Sequence, residues 1–580
     1  MDPATPLMNR PEQVRGPRTA LYERLLRQVY GKQEAQALAR RIAKRVQGAA
    51  AGRRRAHRFS EHDVMLISYA DALLDDAAPP LKVLRRFYER HLEELVSMMH
   101  ILPFFPSTSD DGFAVADYHK VRDGLGTWSD IEALGRDCAL MVDAVINHVS
   151  QSSAWFQGFL ANDPAFEDFF ISCSADADLS KVVRPRPQPV LASYTSADGQ
   201  ERLVWATFSR DQPDLNYANP DVLLAVTEVL LDYLRHGARL VRLDAVAFLW
   251  KQMGTDCIHR PQTHALIKLM RAVLEDAAPD IVIVTETNVP HEDNIAYFGA
   301  GDDEAHMVYN FALPPLIAHA ILTGNAKVLS GWAQTLTLPS PQTCFLNFTA
   351  SHDGVGLRAV EGILSEDERA MLAATAQAHG GFVSYRADGH GAEAPYELNC
   401  NYADLLSAPD EDDDTRLARM LAAQAIMLAM PGVPALYIHS LLGSRNDLQR
   451  VREHGHKRAI NRSQLSVKAL ESALADPRSF RGRLFAGLSH MLRVRKSSPA
   501  FHPAGGFRIL PLNGDVFAIA RHSPDGALTV LALTSVSAEA MVLDTGLAGA
   551  ATDLLSGEIT DLAAVSLEPY GVCWLDIKAA

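Results

Sequence analysis

The sequence predicts an α/β protein built on a (β/α)8 TIM barrel, and three observations lead there. Short β-branched runs alternate with helical segments from Asp63 onward, as parallel βα units require. Two long stretches, residues 149–216 and 354–408, interrupt that alternation with prolines, glycines and aromatics and little periodicity. Beyond Gly505 the pattern changes to alternating apolar and polar residues around the turn signals "NGD" and "PDG", the mark of an antiparallel β domain.

The strand candidates come in order as "DVMLISYA", "MMHILPFFP", "CALMVDAVINH", "RLVRLDAVAF", "DIVIVTETN", "HMVYNFAL", "TCFLNFTASHD" and "VPALYIHSLLG". Each is separated from the next by a helical segment, and a closed barrel suits that spacing better than an open doubly wound sheet. Long insertions in such a barrel lie on βα loops, at the end where active sites form. Ahead of the barrel, Leu21, Leu25, Leu26 and Val29 follow a helical period, and "AQALARRIAKRVQGAAAGRRRAHR" reads as a second helix with a solvated basic face. The expected organisation is an N-terminal helical arm over 1–60 and barrel segments over 61–148, 217–353 and 409–498. The two βα-loop insertions span 149–216 (a domain B) and 354–408, and the C-terminal β domain covers 499–580.

Composition narrows the function classes. A net charge of −15 over 580 residues argues against a nucleic-acid partner, whose footprint would be basic. Six cysteines are scattered without CxxC spacing, so neither a zinc site nor a disulfide framework is expected. "MDPATPLMNRPEQ" has no apolar core of a secretory signal, and no run reaches the ~18 apolar residues of a membrane helix. These readings point to a reduced, cytoplasmic protein with no membrane partner. No sequence feature sets an oligomeric state.

Charged residues at strand ends bear on function. "RLVRLDAVAF" places Arg242 and Asp244 two positions apart in a run that should be apolar if buried. Strand three ends in Asp143, Asn147 and His148, strand five in Glu286, and strand seven in His352 and Asp353. In a barrel all these ends converge on one mouth. One such residue could be a structural ion pair; three carboxylates from three strands with an arginine and two histidines exceed what packing requires. Glycosyl transfer needs such a set. A retaining enzyme sets two carboxyl groups ~5–5.5 Å apart, one as nucleophile and one as acid then base. Further fixed negative charge stabilises an oxocarbenium-like transition state. An arginine beside one carboxylate keeps it ionised, so Asp244 suits the nucleophile and Glu286 the acid/base. Asn147 could be read as a calcium ligand, but no compact Asp/Asn loop accompanies it, and no metal or cofactor is expected.

"DAVINH", "VRLDAV", "VTE" and "SHDG" resemble, in order and spacing, the four conserved regions of glycoside hydrolase family 13, the α-amylase clan. "LISYAD", "HILPFFP", "SDDGFAVADYHKV", "RPRP", "ALPPL", "ASHDGVG", "PGVPALYI" and "RAINR" narrow the resemblance to the sucrose phosphorylase subfamily. "ETNVPHEDNIAYFGAGDDEAHMVY" and "LGSRND", with the helical arm, most resemble the glucosylglycerate phosphorylase group within it. The resemblance implies Asp244 as nucleophile, Glu286 as acid/base and Asp353 as transition-state stabiliser. It implies that Asp110, His148, Arg242, His352 and Arg458 hold glucosyl hydroxyls. Phe113 matches an aromatic platform beside the ring, and Gln212 a residue of the domain B wall. Arg186 and Tyr396 match positions that receive phosphate, where an arginine fork suits a dianion.

Two departures from sucrose phosphorylase bear on the acceptor: "DAVAFLWK" brings Phe248 and Trp250, and "GSRND" places Arg445 towards the acceptor side, unless it only pairs with Asp447. The expected activity is therefore reversible phosphorolysis of 2-O-α-glucosylglycerate to α-glucose 1-phosphate and glycerate, with a sugar and inorganic phosphate as the only partners. Sucrose, sucrose 6-phosphate or glucosylglycerol are neighbouring substrates. Hydrolysis, or an inactive amylase-like binding scaffold, are the readings from other classes.

Overall fold

Eight parallel strands close into a barrel in the computed structural model, which describes residues 17–46, 58–185, 188–387 and 393–578. They are β1 (Met65–Ser68), β2 (Met98–Ile101), β3 (Ala139–Val145), β4 (Leu240–Asp244), β5 (Val282–Thr285), β6 (Met307–Tyr309), β7 (Cys344–Phe348) and β8 (Val433–Tyr437). Each pairs in parallel with its sequence neighbours, and β1 closes the ring between β2 and β8. Their residues are almost all buried, because helices cover the outside while side chains fill the inside. That is why the strands read as continuous apolar runs and not as alternations.

The first insertion, between β3 and β4, forms a three-stranded antiparallel sheet ordered Ser172–Cys173, Glu201–Trp205, Leu191–Thr195. It returns to the barrel through bridges His148–Asp214 and Phe170–Leu215. The chain then enters helix α3 (Pro220–Arg235), where Asn219 caps the Asp221 N–H at 2.9 Å and proline opens the first turn. The second insertion follows β7. It holds helix Glu366–Ala378, begun by a Ser365–Glu368 capping box, and a hairpin of Phe382–Ala387 and Glu393–Asn399. Val355–Gly356 extends that hairpin into a three-stranded sheet, tying the insertion to the end of β7.

The C-terminal region is a six-stranded sheet, all of its pairings antiparallel, beside a two-stranded one. A fully buried arginine docks it on the barrel. Arg521 donates to the carbonyls of Ala429 and Met430, at the end of helix Asp413–Ala429, at 2.8 and 3.0 Å. Unpaired carbonyls carry the negative end of the helix dipole, so a cation is favoured there.

At the N-terminus, α1 (Thr19–Leu26) and α2 (Lys32–Val46) lie on α3 and on α4 (Pro261–Ala277). Tyr22, Leu25, Leu38 and Ile42 bury the apolar stripe. The expected basic face is only partly solvated. Arg41 pairs with Asp221 at 2.7 Å and Arg45 with Glu228 at 3.6 Å, both on α3, while Arg40 and Lys44 remain exposed. Residues 47–57 of the basic stretch lie outside the described residues.

Asp276 anchors the arm. Its carboxylate accepts the Arg18 backbone N–H and Nε, each at 2.7 Å, and the Tyr22 hydroxyl at 2.5 Å. Asp276→Ala removes these charge-assisted bonds, worth about 1.5–3 kcal/mol each to a charged group. It should therefore speed proteolytic release of the arm several-fold while the barrel stays folded. A cleavage rate equal to that of the parent would show that the apolar stripe and the other ion pairs hold the arm without Asp276.

Candidate active site

The C-terminal ends of β3, β4, β5 and β7 meet at the mouth of the barrel and line one pocket of about 730 Å3 that opens to solvent. Asp110, Phe113, His148, Gln212, Asp244, Glu286, His352, Asp353, Tyr396 and Arg458 all line it.

Beneath the pocket runs a ladder of charges. Asp143 on β3 stands opposite Arg242 on β4 in the strand register. Arg242 Nη1 lies between Asp143 Oδ1 and, at 2.7 Å, Asp244 Oδ1. His100 on β2 reaches the other oxygen of Asp143 at 2.6 Å. Burial alone would raise the Asp143 pKa, yet Arg242 and then His100 hold it down at about 2.

Asp244 and Glu286 face each other under different constraints. Burial raises both pKa values above the ordinary carboxylate range, opposed in each case by Arg242. Only Asp244 has the guanidinium at contact distance. Glu286 Oε2 instead accepts the backbone N–H of Ala245 at 3.1 Å. The geometry favours the charge on Asp244, which alone touches the guanidinium, and the proton on Glu286. Ala245 makes this possible by adopting φ +50°, a left-handed conformation that costs a non-glycine residue about 1 kcal/mol. The turn directs its N–H at Glu286 directly after Asp244.

Asp353 is held differently. Arg458 Nη1 lies 2.5 Å from its Oδ1, with Arg462 and His352 at 3.6 Å. Burial pushes its pKa up, but Arg458, His352 and Arg462 together bring it well below the usual range, so this third carboxylate stays ionised. Arg458 is itself fixed by Glu397, through Nη2 at 2.9 Å and Nε at 3.3 Å. Burial pushes the imidazole of His352 down to about 3, and the neutral ring stacks on Phe113 with centroids 4.9 Å apart. Gln212 Nε2 donates to Phe113 O at 3.1 Å and lies 3.2 Å from His148 Nε2. It links the domain B wall to the pocket floor.

Three expected residues are not among those that line the pocket: Arg186, Arg445 and Arg242, which lies beneath Asp244. Arg186 lies outside the described residues. Arg445 is paired with Asp404, and the pocket does not include it. Asp447, the other partner considered, instead caps the next helix by accepting the Arg450 N–H at 2.9 Å. Of the two departures near Asp244, Phe248 lines the pocket, meeting Phe208 edge to face at 5.6 Å, and Trp250 does not. Glu397, Asn288 and Arg358 were not expected. The charged residues of "PYELN" and "LRAV" interrupt otherwise apolar or extended runs, and that was their only sequence signal.

The position read as a calcium ligand holds a lysine. Lys251 Nζ donates to Asn147 Oδ1 at 2.8 Å and lies 2.6 Å from Asp214 Oδ2, with both charged groups buried. Asp111, His454 and His456 are close enough to share an ion, but the Asp111 carboxylate is already in contact with the buried Arg462 guanidinium, which would repel one.

A barrel with three differentiated carboxylates at its mouth defines a glycoside-cleaving enzyme of the α-amylase type, and residues 91–349 match the alpha-amylase catalytic domain family. The chain is 46% identical to glucosylglycerate phosphorylase of Escherichia coli (strain K12) over 90% of its length and 93% of that protein. It is 50% identical to glucosylglycerate phosphorylase of Allomeiothermus silvanus over 82% and 85% of the two chains. The sucrose 6F-phosphate phosphorylase of Thermoanaerobacter thermosaccharolyticum shares the fold, with a TM-score of 0.71 at 24% identity over 82% of this chain and 94% of that one. The chain belongs to the glucosylglycerate phosphorylase family.

Lys251→Met keeps the volume of the side chain but leaves Asp214 buried without its cation, a loss of about 3–5 kcal/mol. The melting temperature should fall by several degrees, and the KM for the glucosyl donor should rise because Asn147 and His148 lose their support. An unchanged melting temperature would mean that the Thr207 and Asn147 hydrogen bonds satisfy Asp214 unaided.

Proposed function

We propose that the protein catalyses reversible phosphorolysis of 2-O-α-glucosylglycerate to α-glucose 1-phosphate and glycerate, retaining the α configuration. The observation that carries the chemistry is the unequal treatment of the two facing carboxyls. Arg242 contacts Asp244, while Glu286 is buried with only a peptide N–H on its Oε2. The kinship with glucosylglycerate phosphorylases supports the choice of substrate.

In the proposed cycle Asp244 attacks the anomeric carbon as Glu286 gives its proton to the departing glycerate oxygen. A β-glucosyl ester on Asp244 results. Phosphate then attacks the same carbon, Glu286 takes back a proton, and the ester bond breaks, restoring the α configuration in glucose 1-phosphate. Asp353, held ionised by Arg458, faces the positive charge that develops at the ring. Asp110, His148, Arg242, His352 and Arg458 secure the glucosyl unit, with Phe113 as its platform. Arg186 and Tyr396 receive the phosphate. The six cysteines are all unpaired, which suits a reducing compartment such as the cytoplasm, and among the described residues no helix is long and apolar enough to cross a membrane.

The decisive measurement is phosphate release from α-glucose 1-phosphate across a panel of acceptors. Glycerate should release it faster than glycerol, fructose, fructose 6-phosphate or water. Preference for fructose would remove the glycerate assignment, and no release with any acceptor would remove phosphorolysis.

The roles of the two carboxyls predict a pH dependence. Burial raises the Glu286 pKa, so its proton persists above the ordinary carboxylate range and is lost as pH rises through that value. Cleavage of glucosylglycerate should therefore decline on the alkaline side. Glu286→Gln should lower it by roughly 10²–10⁴, and should affect far less a donor whose leaving group needs no proton. Equal losses with both kinds of donor would show that Glu286 is not the acid.

A further inference from the structure

Five residues beyond Asp353 the chain makes a short 3-10 turn, Arg358–Val360, after strand Val355–Gly356. Arg358 sits on its first position and lines the same pocket as Asp244 and Glu286. The other arginines around this mouth are matched to carboxylates: Arg242 to Asp143 and Asp244, Arg458 to Asp353 and Glu397, Arg462 to Asp111, Arg445 to Asp404. Arg358 has no ion pair or side-chain hydrogen bond among the described residues, and its Nε is buried without a partner. Glu361, the acid that acts on it most, is engaged by Arg386 at 2.5 Å and Arg369 at 3.7 Å. Burial, and after it the charge of Arg386, depresses the pKa of Arg358.

A second group points the same way. Asn288, two residues after Glu286, also lines the pocket, and its Oδ1 is buried without a hydrogen-bond partner. Its amide lies against Gly356, where a Cβ would come within 2.5 Å of Nδ2, so the glycine makes room for it. The pocket thus carries an uncompensated guanidinium fork and a neutral amide on the two chain segments that follow Asp353 and Glu286. A planar fork matches a carboxylate through two parallel bonds, and the amide oxygen accepts from a hydroxyl.

We propose that Arg358 and Asn288 form the acceptor subsite: Arg358 binds the carboxylate of a small hydroxy acid, and Asn288 accepts a hydrogen bond from its free hydroxyl. This rests on the glycerate reading above and names the residues that would select an acid over a neutral polyol. It gives Arg358 the task that the sequence suggested for Arg445. Binding the anion there supplies the charge that the guanidinium lacks, and a neutral acceptor of the same size leaves it unpaired.

The test measures acceptor selectivity with α-glucose 1-phosphate as donor. Arg358→Gln should raise the KM for glycerate by roughly tenfold to a hundredfold, the loss of one charge-assisted contact. The KM for glycerol should move less than about threefold, so the ratio of kcat/KM for glycerate over glycerol falls at least tenfold. Arg358→Lys, which keeps the charge without the fork, should recover part of that ratio. Asn288→Asp, nearly isosteric, should lower the same ratio by setting like charge beside the acid. The phosphate arm separates the two anions of the reaction: in the phosphorolysis direction, the KM for phosphate should stay near that of the parent. A glycerate KM unchanged in Arg358→Gln, or one that rises only in step with the phosphate KM, overturns the proposal. A parent enzyme that does not use glycerate at all overturns instead the substrate reading on which the proposal rests.

Discussion

The structure of this site depends on one buried arginine. Arg242 is about 2% exposed and lies between Asp143 and Asp244, three charges at the ends of neighbouring strands. Desolvating ions costs several kcal/mol each, and the attraction between them repays this only with close geometry. The barrel provides that geometry through its register, which sets Asp143 opposite Arg242 and brings Val145 opposite Asp244. A shift of one residue between β3 and β4 would turn these side chains to the outside, where the helices pack. The same arrangement that fixes the register also sets a guanidinium against Asp244 and not against Glu286. Folding and chemistry are therefore coupled through a single guanidinium.

From that point the site is built outward by loops. Asp353 needs Arg458, Arg458 needs Glu397, and Glu397 belongs to the hairpin of the second insertion. Gly354 donates its N–H back to Glu397 at 2.9 Å, so the end of β7 and the hairpin hold each other. Gln212 and Asp214 perform the same task for the first insertion, one against the floor of the pocket and the other on Lys251. The two insertions thus set the pocket walls, and the barrel sets the reacting carboxylates.

This division explains what could be read from the sequence. Strand ends follow a period and carry charges against an apolar background, so Asp244, Glu286, Asp353, His148 and Arg242 stood out, and the barrel with them. Loop residues have no period to violate. Glu397 and Arg358 come together with the strand-end residues only because hairpin Phe382–Asn399 pairs with Val355–Gly356, a contact between segments some forty residues apart. Arg445 shows the converse. A motif match placed it near the acceptor, but Asp404, on the short helix after the hairpin, engages its guanidinium and holds it away from the pocket. Lys251 is the last residue of the "DAVAFLWK" stretch, and its place beside Asn147 emerges only when β3, β4 and the first insertion are seen together.

The distribution of charge inside the pocket suggests why an acid would be used here. On the glucosyl side Asp244, Glu286 and Asp353 form an acidic patch, balanced by arginines that are already paired. That patch repels anions, which would disfavour both phosphate and glycerate if it filled the mouth. Arg358 follows Asp353 by five residues, yet the charged groups that act on it most are Arg386, Glu361 and Asp293, not the pocket carboxylates. Its charge therefore remains available to an incoming anion. Two oxyanions must use this side of the glucosyl carbon in turn, one leaving as the other arrives. A neutral acceptor would leave the guanidinium unmatched in every state of the cycle. An acidic one pairs with it for as long as the acceptor is bound, so the site favours an acid over a neutral polyol and leaves phosphate to other residues.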